Sequence, residues 1–133
     1  MSAGRILVVD DEPRIGAMVC EFLNDAGFDS DWAPNDRVAY DRLRRSQPFH
    51  AVVVDVNLGR GTTGFDVARL ARQLNAATGV VYVSGEFSER SWAAHGVPGS
   101  RFVSKPFDLE ALAAALDELI VDLVPASPPG DWR

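Results

Sequence analysis

Two short runs of unbroken apolar residues, Ile6-Leu7-Val8-Val9 and Ala51-Val52-Val53-Val54, each stop at carboxylates: Asp10-Asp11 after the first and Asp55 after the second. Runs this short, rich in β-branched residues, predict strands covered on both faces, as inside a parallel sheet. A third such run, Val80 to Val83, closes on Ser84-Gly85-Glu86. Phe28 to Trp32 alternates apolar and polar residues, and Arg101 to Ser104 is mixed, so both predict strands at sheet edges. Between the strands the period becomes helical. Ile15, Met18, Val19, Phe22 and Leu23 form one apolar stripe on a helix opened by Glu12-Pro13 and ended by Gly27. Asn35 or Asp36 caps a second helix with a thin stripe of Ala39, Tyr40 and Leu43, stopping before Pro48. A third follows Gly64 and buries Val67, Leu70, Ala71 and Leu74. A short, poorly amphipathic helix is expected around Ser88 to Ala94. Asp108 caps the last, with Leu109, Leu112, Leu116, Leu119, Ile120 and Leu123 on one side.

Five strands alternating with five helices imply right-handed crossovers and an α/β fold with a doubly wound five-stranded parallel sheet. With the apolar strands one, three and four inside, the strand order is 2-1-3-4-5, a flavodoxin-like (βα)5 arrangement. Its switch point lies between strands one and three, where ligands gather at the carboxyl ends. Those are the strands that deliver Asp10, Asp11 and Asp55. One domain is expected over residues 1–124, with a Pro-rich tail over 125–133 too short and polar to fold alone; Trp132 in that tail is unexplained.

Charge narrows the partners. The 133 residues carry a net −6, which argues against a nucleic-acid or anionic-membrane surface. Cys20 is the single cysteine, so neither a disulfide framework nor a thiolate metal cluster is expected. No secretory segment or membrane-length apolar run stands out, which favours a cytoplasmic location. His50 and His95 lack metal-ligand company and read as strand-end and helix-end residues. Trp92 suits either a partner-facing aromatic or partial burial.

Three carboxylates held within about 5 Å repel one another by roughly 3 kcal/mol per pair at an effective dielectric near 20. Against a total stability of about 5–15 kcal/mol, protonation or a cation has to relieve that cost. Oxygen ligands without His or Cys favour Mg²⁺, with Mn²⁺ or Ca²⁺ next, over Zn²⁺. Simple capping of a helix would suit Asp10 or Asp11 but does not explain their convergence with Asp55 and Lys105.

Ile6-Leu7-Val8-Val9-Asp10-Asp11-Glu12, Val53-Val54-Asp55, Val83-Ser84-Gly85 and Val103-Ser104-Lys105-Pro106-Phe107 together resemble the receiver domain of two-component response regulators, in order and at family-like spacing over residues 5 to about 123. The resemblance implies that Asp55 is the phospho-acceptor, loaded by a histidine kinase or a histidine phosphotransfer protein. It implies direct Mg²⁺ contacts from Asp11, Asp55 and the Asn57 backbone carbonyl, with Asp10 acting through water. Lys105 would pair with the phosphoryl oxygens, Ser84 would hydrogen-bond one of them, and Gly85 would leave them room. Asn57 and Glu86 would flank the water that hydrolyses the acyl phosphate, and a cis Lys105–Pro106 bond is expected. Ser84 and Phe102, the latter at the family's switch aromatic, would carry the signal to a face made of helix four, strand five and helix five. No output domain follows residue 123, so the signal is expected to leave through a separate protein, dimerisation or competition for phosphate. Two departures fall in the loop after Asp55: Leu58-Gly59 replaces the usual Met-Pro pair, and Gly64 comes one residue late.

Three other readings compete. Gly59-x-Gly61-x-x-Gly64, between a strand and a helix with Glu86 about twenty residues on, formally matches a dinucleotide-binding fingerprint. Its first glycine lies four residues beyond Asp55, however, and three carboxylates at the same edge would repel a pyrophosphate. An aspartyl-nucleophile phosphatase is disfavoured because Asn57 cannot act as the acid of an Asp-x-Asp site. A receiver that serves only as a non-phosphorylated docking module is opposed by the intact acidic pair, acceptor and lysine.

Overall fold

The computed structural model describes residues 4–45, 48–58, 63–85, 89–105 and 109–123. The apolar runs form β1 (Arg5–Val9), β3 (Ala51–Asp55) and β4 (Gly79–Ser84), and the mixed segments form β2 (Asp29–Ala33) and β5 (Arg101–Ser104). The helices are α1 (Pro13–Asp25), α2 (Asp36–Arg45), α3 (Gly64–Leu74), α4 (Glu89–His95) and α5 (Leu109–Leu123). All strand pairs are parallel, in the order β2-β1-β3-β4-β5. β2 and β5 hold the edges, as their polar positions require.

Alternation within the apolar strands divides the core into two layers. Ile6, Val8, Val53, Val81 and Val83 point to one face and pack with Val19 and Leu23 of α1 and Leu112 and Leu116 of α5. Leu7, Val9, Val52, Val54, Val80 and Tyr82 point to the other, against Ala39 of α2 and Phe65, Val67, Ala68 and Ala71 of α3. Each fully buried aliphatic or aromatic side chain contributes about 1.5–3 kcal/mol, and β3 is buried from end to end. That pins the register and hence the height at which Asp55 emerges. Val9 lies opposite Val54, Asp55 opposite Val83, and Ser84 opposite Ser104. The carboxyl ends of four strands therefore meet at one rim.

Several helix details differ from the sequence expectation. Met18 is 39% exposed and Leu74 50% exposed, so neither belongs to a buried stripe; Leu70 is half-buried. Phe65 and Ala68 take the buried positions in α3 instead, because the helix is rotated to bring Gly64 against the end of β3. Asn35, not Asp36, caps α2: its Oδ1 accepts the Val38 N–H at 2.9 Å. β2 runs from Asp29 to Ala33 rather than from Phe28 to Trp32. α4 spans Glu89–His95, one residue beyond the expected end. Gly27, at φ 99°, follows α1 in the left-handed conformation expected of a helix stop. The expected Asp108 cap, the glycines at 59 and 61, the Lys105–Pro106 bond, and the tail with Trp132 lie outside the described residues.

Candidate functional site

β1 delivers Asp10 buried, at 2% exposure. Its N–H donates to the Ala33 carbonyl at 3.2 Å, and its Oδ1 accepts the Glu12 N–H at 2.9 Å. That local turn sends the chain into α1 and leaves Asp11 exposed beside it. Asp55, at 6% exposure, ends β3 and accepts the Asn57 N–H on Oδ1 at 3.0 Å. The chain then turns so that the Gly64 N–H reaches the Val56 carbonyl at 2.8 Å. A Cβ at Gly64 would overlap the Asp55 carbonyl oxygen, so only glycine lets α3 start this close to the end of β3. The Thr63 N–H donates to Asp66 Oδ2 at 3.3 Å and fixes that start.

Lys105 enters from β5, its own N–H held by the Ser84 carbonyl at 2.9 Å. Its Nζ lies 2.9 Å from Asp55 Oδ2, 3.1 Å from Asp10 Oδ2 and 3.9 Å from Glu12 Oε1. Burial raises the Asp55 carboxyl above its ordinary value; Lys105 and the Asn57 N–H pull it down, and Asp10 adds to the rise. Burial also acts to lower the Lys105 ammonium, but Asp55 and Asp10 outweigh it and hold it above the usual lysine range. The lysine is thus a fixed positive charge, while Asp55 retains an appetite for a further positive group.

An open cleft of about 400 Å³ lies over this rim, lined by Asp11, Glu12, Asp55, Asn57, Ser84, Gly85 and Lys105. Asp10 stands behind it. Ser84 is buried at 2% exposure at the end of β4, and Gly85 is exposed beside Lys105. The sequence-derived residues Asp10, Asp11, Asp55, Asn57, Ser84 and Lys105 are therefore brought together. Glu86 lies outside the described residues. Phe102 sits apart on β5, half-buried and stacked on Trp92 with centroids 6.1 Å apart and planes at 25°. The Trp92 indole donates to Ser100 Oγ at 2.8 Å, and the side chain is half-buried. Two neighbours of the site take roles the sequence did not suggest: Glu12, read there only as a helix opener and motif residue, is drawn toward Lys105, and the Trp32 indole donates to the Asp10 carbonyl at 2.9 Å.

One oxygen from each of Asp10, Asp11 and Asp55 lies within 4.8 Å of the others. A six-coordinate Mg²⁺ with bonds of about 2.1 Å spaces its ligands roughly 3–4 Å apart, so a slight contraction of this all-oxygen set suffices. The residues fit a hard divalent cation.

The sequence profile of the response regulator receiver domain matches residues 6–117. The transcriptional regulatory protein TcrA of Mycobacterium tuberculosis is 32% identical over 121 residues, covering 90% of this chain and 47% of that protein. The transcriptional regulatory protein QseB of Escherichia coli O157:H7 is 31% identical, covering 87% of this chain and 52% of its own. The chain thus spans about half the length of the curated relatives it matches. Among solved structures, a response regulator receiver protein from Sinorhizobium medicae superposes with a TM-score of 0.84 at 31% identity, over 90% of this chain and 95% of that one. Chemotaxis protein CheY4 of Vibrio cholerae superposes with a TM-score of 0.73 at 26% identity, over 90% and 98%. None of these matches favours a dinucleotide-binding domain or an aspartyl phosphatase. A rim of three aspartates and a lysine on a 2-1-3-4-5 sheet, joined to a profile match over most of its length, places this chain in the response regulator receiver domain family.

Proposed function

We propose that Asp55 is the phospho-acceptor of this receiver domain, loaded by a phosphohistidine on a histidine kinase or a histidine phosphotransfer protein. The observation that carries the assignment is its position: a nearly buried carboxylate at the end of the central strand, facing the cleft and 2.9 Å from Lys105 Nζ. Asp10 is as buried but faces Lys105 from behind the cleft, and Asp11 is exposed. In the reaction an Asp55 oxygen bonds to phosphorus while the P–N bond breaks and the imidazole leaves. Such transfers demand positioning and charge neutralisation more than covalent help. Lys105, already held at the acceptor, supplies one positive charge to the incoming oxygens. Ser84 offers a hydroxyl from the end of β4, and Gly85 offers space without a Cβ. Asp11, Asp55 and the Asn57 carbonyl would hold Mg²⁺, or Mn²⁺ in its place, with Asp10 behind them. The cation, when bound, offsets the negative charge that gathers on the phosphoryl group.

Asn57, exposed at the cleft, and Glu86 are assigned to the water that hydrolyses the acyl phosphate, so they set its lifetime. The domain accepts its phosphoryl group from the donor, dephosphorylates itself and is not a turnover enzyme. Ser84 and Phe102 couple the site to the face of α4, β5 and α5, where a protein partner or a second copy reads the state. No nucleic-acid contact is assigned to this acidic domain, and its place is the cytoplasm. Among the described residues no helix is long and apolar enough to cross a membrane. Residues 1–124 form the domain and 125–133 a tail.

Incubation with acetyl phosphate or phosphoramidate and Mg²⁺ should add one phosphate to the parent mass. Asp55→Asn should add none, and EDTA should block the parent. Equal labelling of the variant would overturn the assignment. Replacing Asn57 and Glu86 together by apolar residues should change the decay of the phosphoprotein at least severalfold; unchanged decay removes them from the mechanism.

A further inference from the structure

The turn that carries Asp10 and Asp11 is fastened from outside the cleft by an aromatic side chain that the phosphoryl chemistry does not use. Trp32, on the edge strand β2, donates its indole N–H to the Asp10 carbonyl at 2.9 Å. The next residue, Ala33, accepts the Asp10 N–H at 3.2 Å. Both main-chain groups of Asp10 are thus tied to consecutive residues of β2, while its side chain is tied forward to the Glu12 N–H.

The indole is itself seated. α1 turns Gly16 toward it, and a Cβ there would stand 2.7 Å from Trp32 Cδ1 and overlap Nε1. Gly16 is buried, and Trp32 packs half-buried against the core layer shared by α1 and α5. An indole N–H is a donor only, so the contact with a carbonyl is directional. That carbonyl belongs to the planar peptide unit joining Asp10 to Asp11. Fixing its direction fixes where the Asp11 backbone goes next.

The geometry points to Trp32, seated on Gly16, as a positioning residue that presets the Asp10 and Asp11 carboxylates for a divalent cation. The inference rests on the reading of Asp10, Asp11 and Asp55 as the cation site. Trp32→Phe keeps an aromatic ring on α1 and deletes the donor. Calorimetric titration with MgCl₂ should show its affinity weakened by about three- to tenfold, the worth of one hydrogen bond. The Mg²⁺ concentration for half-maximal labelling by acetyl phosphate should rise by the same factor, with the rate at saturating Mg²⁺ within about twofold of the parent. A merely structural role would lower the melting temperature and leave the Mg²⁺ dependence of the folded protein where it was; that result overturns the inference. Gly16→Ala, which displaces the ring by a different route, should weaken Mg²⁺ in the same sense. The parent gives a readout independent of either variant: in NMR spectra the Trp32 indole resonance should move saturably with Mg²⁺, and an unmoved resonance would refute the coupling. If the parent binds no Mg²⁺ at all, the cation site itself fails, and this inference with it.

Discussion

At the scale of single residues, the site is a balance of charge in a poorly solvated rim. Lys105 Nζ faces three carboxylates, two of them less than a tenth exposed. Removing one partner of a buried ionic cluster costs more than the cluster contributes, because the remaining charges stay desolvated. Lys105→Met should therefore lower unfolding free energy in EDTA by about 3 kcal/mol, the low end for such deletions. Urea denaturation at neutral pH checks this, and Mg²⁺ should restore part of the loss. A variant as stable as the parent in EDTA would show that Lys105 neutralises nothing. The convergence of Asp10, Asp11, Asp55, Ser84 and Lys105 was legible in the sequence because each follows an apolar or strand-like run, and parallel strands end on one side. Trp32 was not legible. Its contact reaches 22 residues back to a main-chain atom, which leaves no mark in periodicity or spacing. Glycine 16 likewise looks like an interruption of α1 until the indole lying against it is seen.

At the scale of elements, the docking of α3 on β3 sets the geometry behind Asp55. Gly64→Ala puts a methyl group into the Asp55 carbonyl oxygen, and backbone cannot yield as a flexible side chain does. Overpacking of this kind costs about 1–3 kcal/mol, and, if Asp55 is the proposed acceptor, its labelling should slow because the end of β3 moves. Parent-like stability and labelling would mean that α3 shifts freely. The buried β4 tyrosine links the sheet to the α4–β5 loop: Tyr82 accepts the Val97 N–H at 3.1 Å. Burial raises its phenol above the ordinary value, against smaller opposing effects of Val97, Arg69 and Arg72. A raised folded value means its stability contribution is intact below the unfolded value, near 10, and is lost as pH rises toward the folded one. Between about pH 9.5 and 11 the urea midpoint of the parent should therefore fall more steeply than that of Tyr82→Phe. Parallel slopes would contradict this. At neutral pH the same variant should lose about 1–2 kcal/mol, since the Val97 N–H is left without its acceptor. Strand identity and order were legible because unbroken and alternating runs report burial on two faces or one. Helix rotation was not: in α1 and α3 the spacing admits both Met18 and Leu74 to the apolar stripe, and only close approaches at glycines 16 and 64 decide which neighbours go in.

At the scale of the whole molecule, the folded state gathers three carboxylates that the unfolded chain cannot hold together, and the proposed cation site can be tested through that difference. Asp10 and Asp11 are adjacent in sequence, but Asp55 and Lys105 come from β3 and the end of β5. A ligand that binds only the folded state stabilises it by about 2.7 kcal/mol at one hundred times its dissociation constant. For a chain of 133 residues that corresponds to a melting-temperature rise of roughly 8–12 °C. NaCl at matched ionic strength should give much less, because screening of surface charge is weak beside coordination in a buried rim. Asp11→Asn separates the two contributions. It removes one of three mutually repelling carboxylates, so the variant in EDTA should be as stable as the parent or more so. It also removes a ligand facing the cleft, so most of the Mg²⁺-dependent rise should vanish. The opposite pattern, a variant weakened in EDTA yet still stabilised by Mg²⁺, would mean that Asp11 is a structural group and that the cation is held elsewhere. Scanning calorimetry of parent and variant, each in EDTA, MgCl₂ and matched NaCl, distinguishes these outcomes because coordination and screening respond differently to the same added salt.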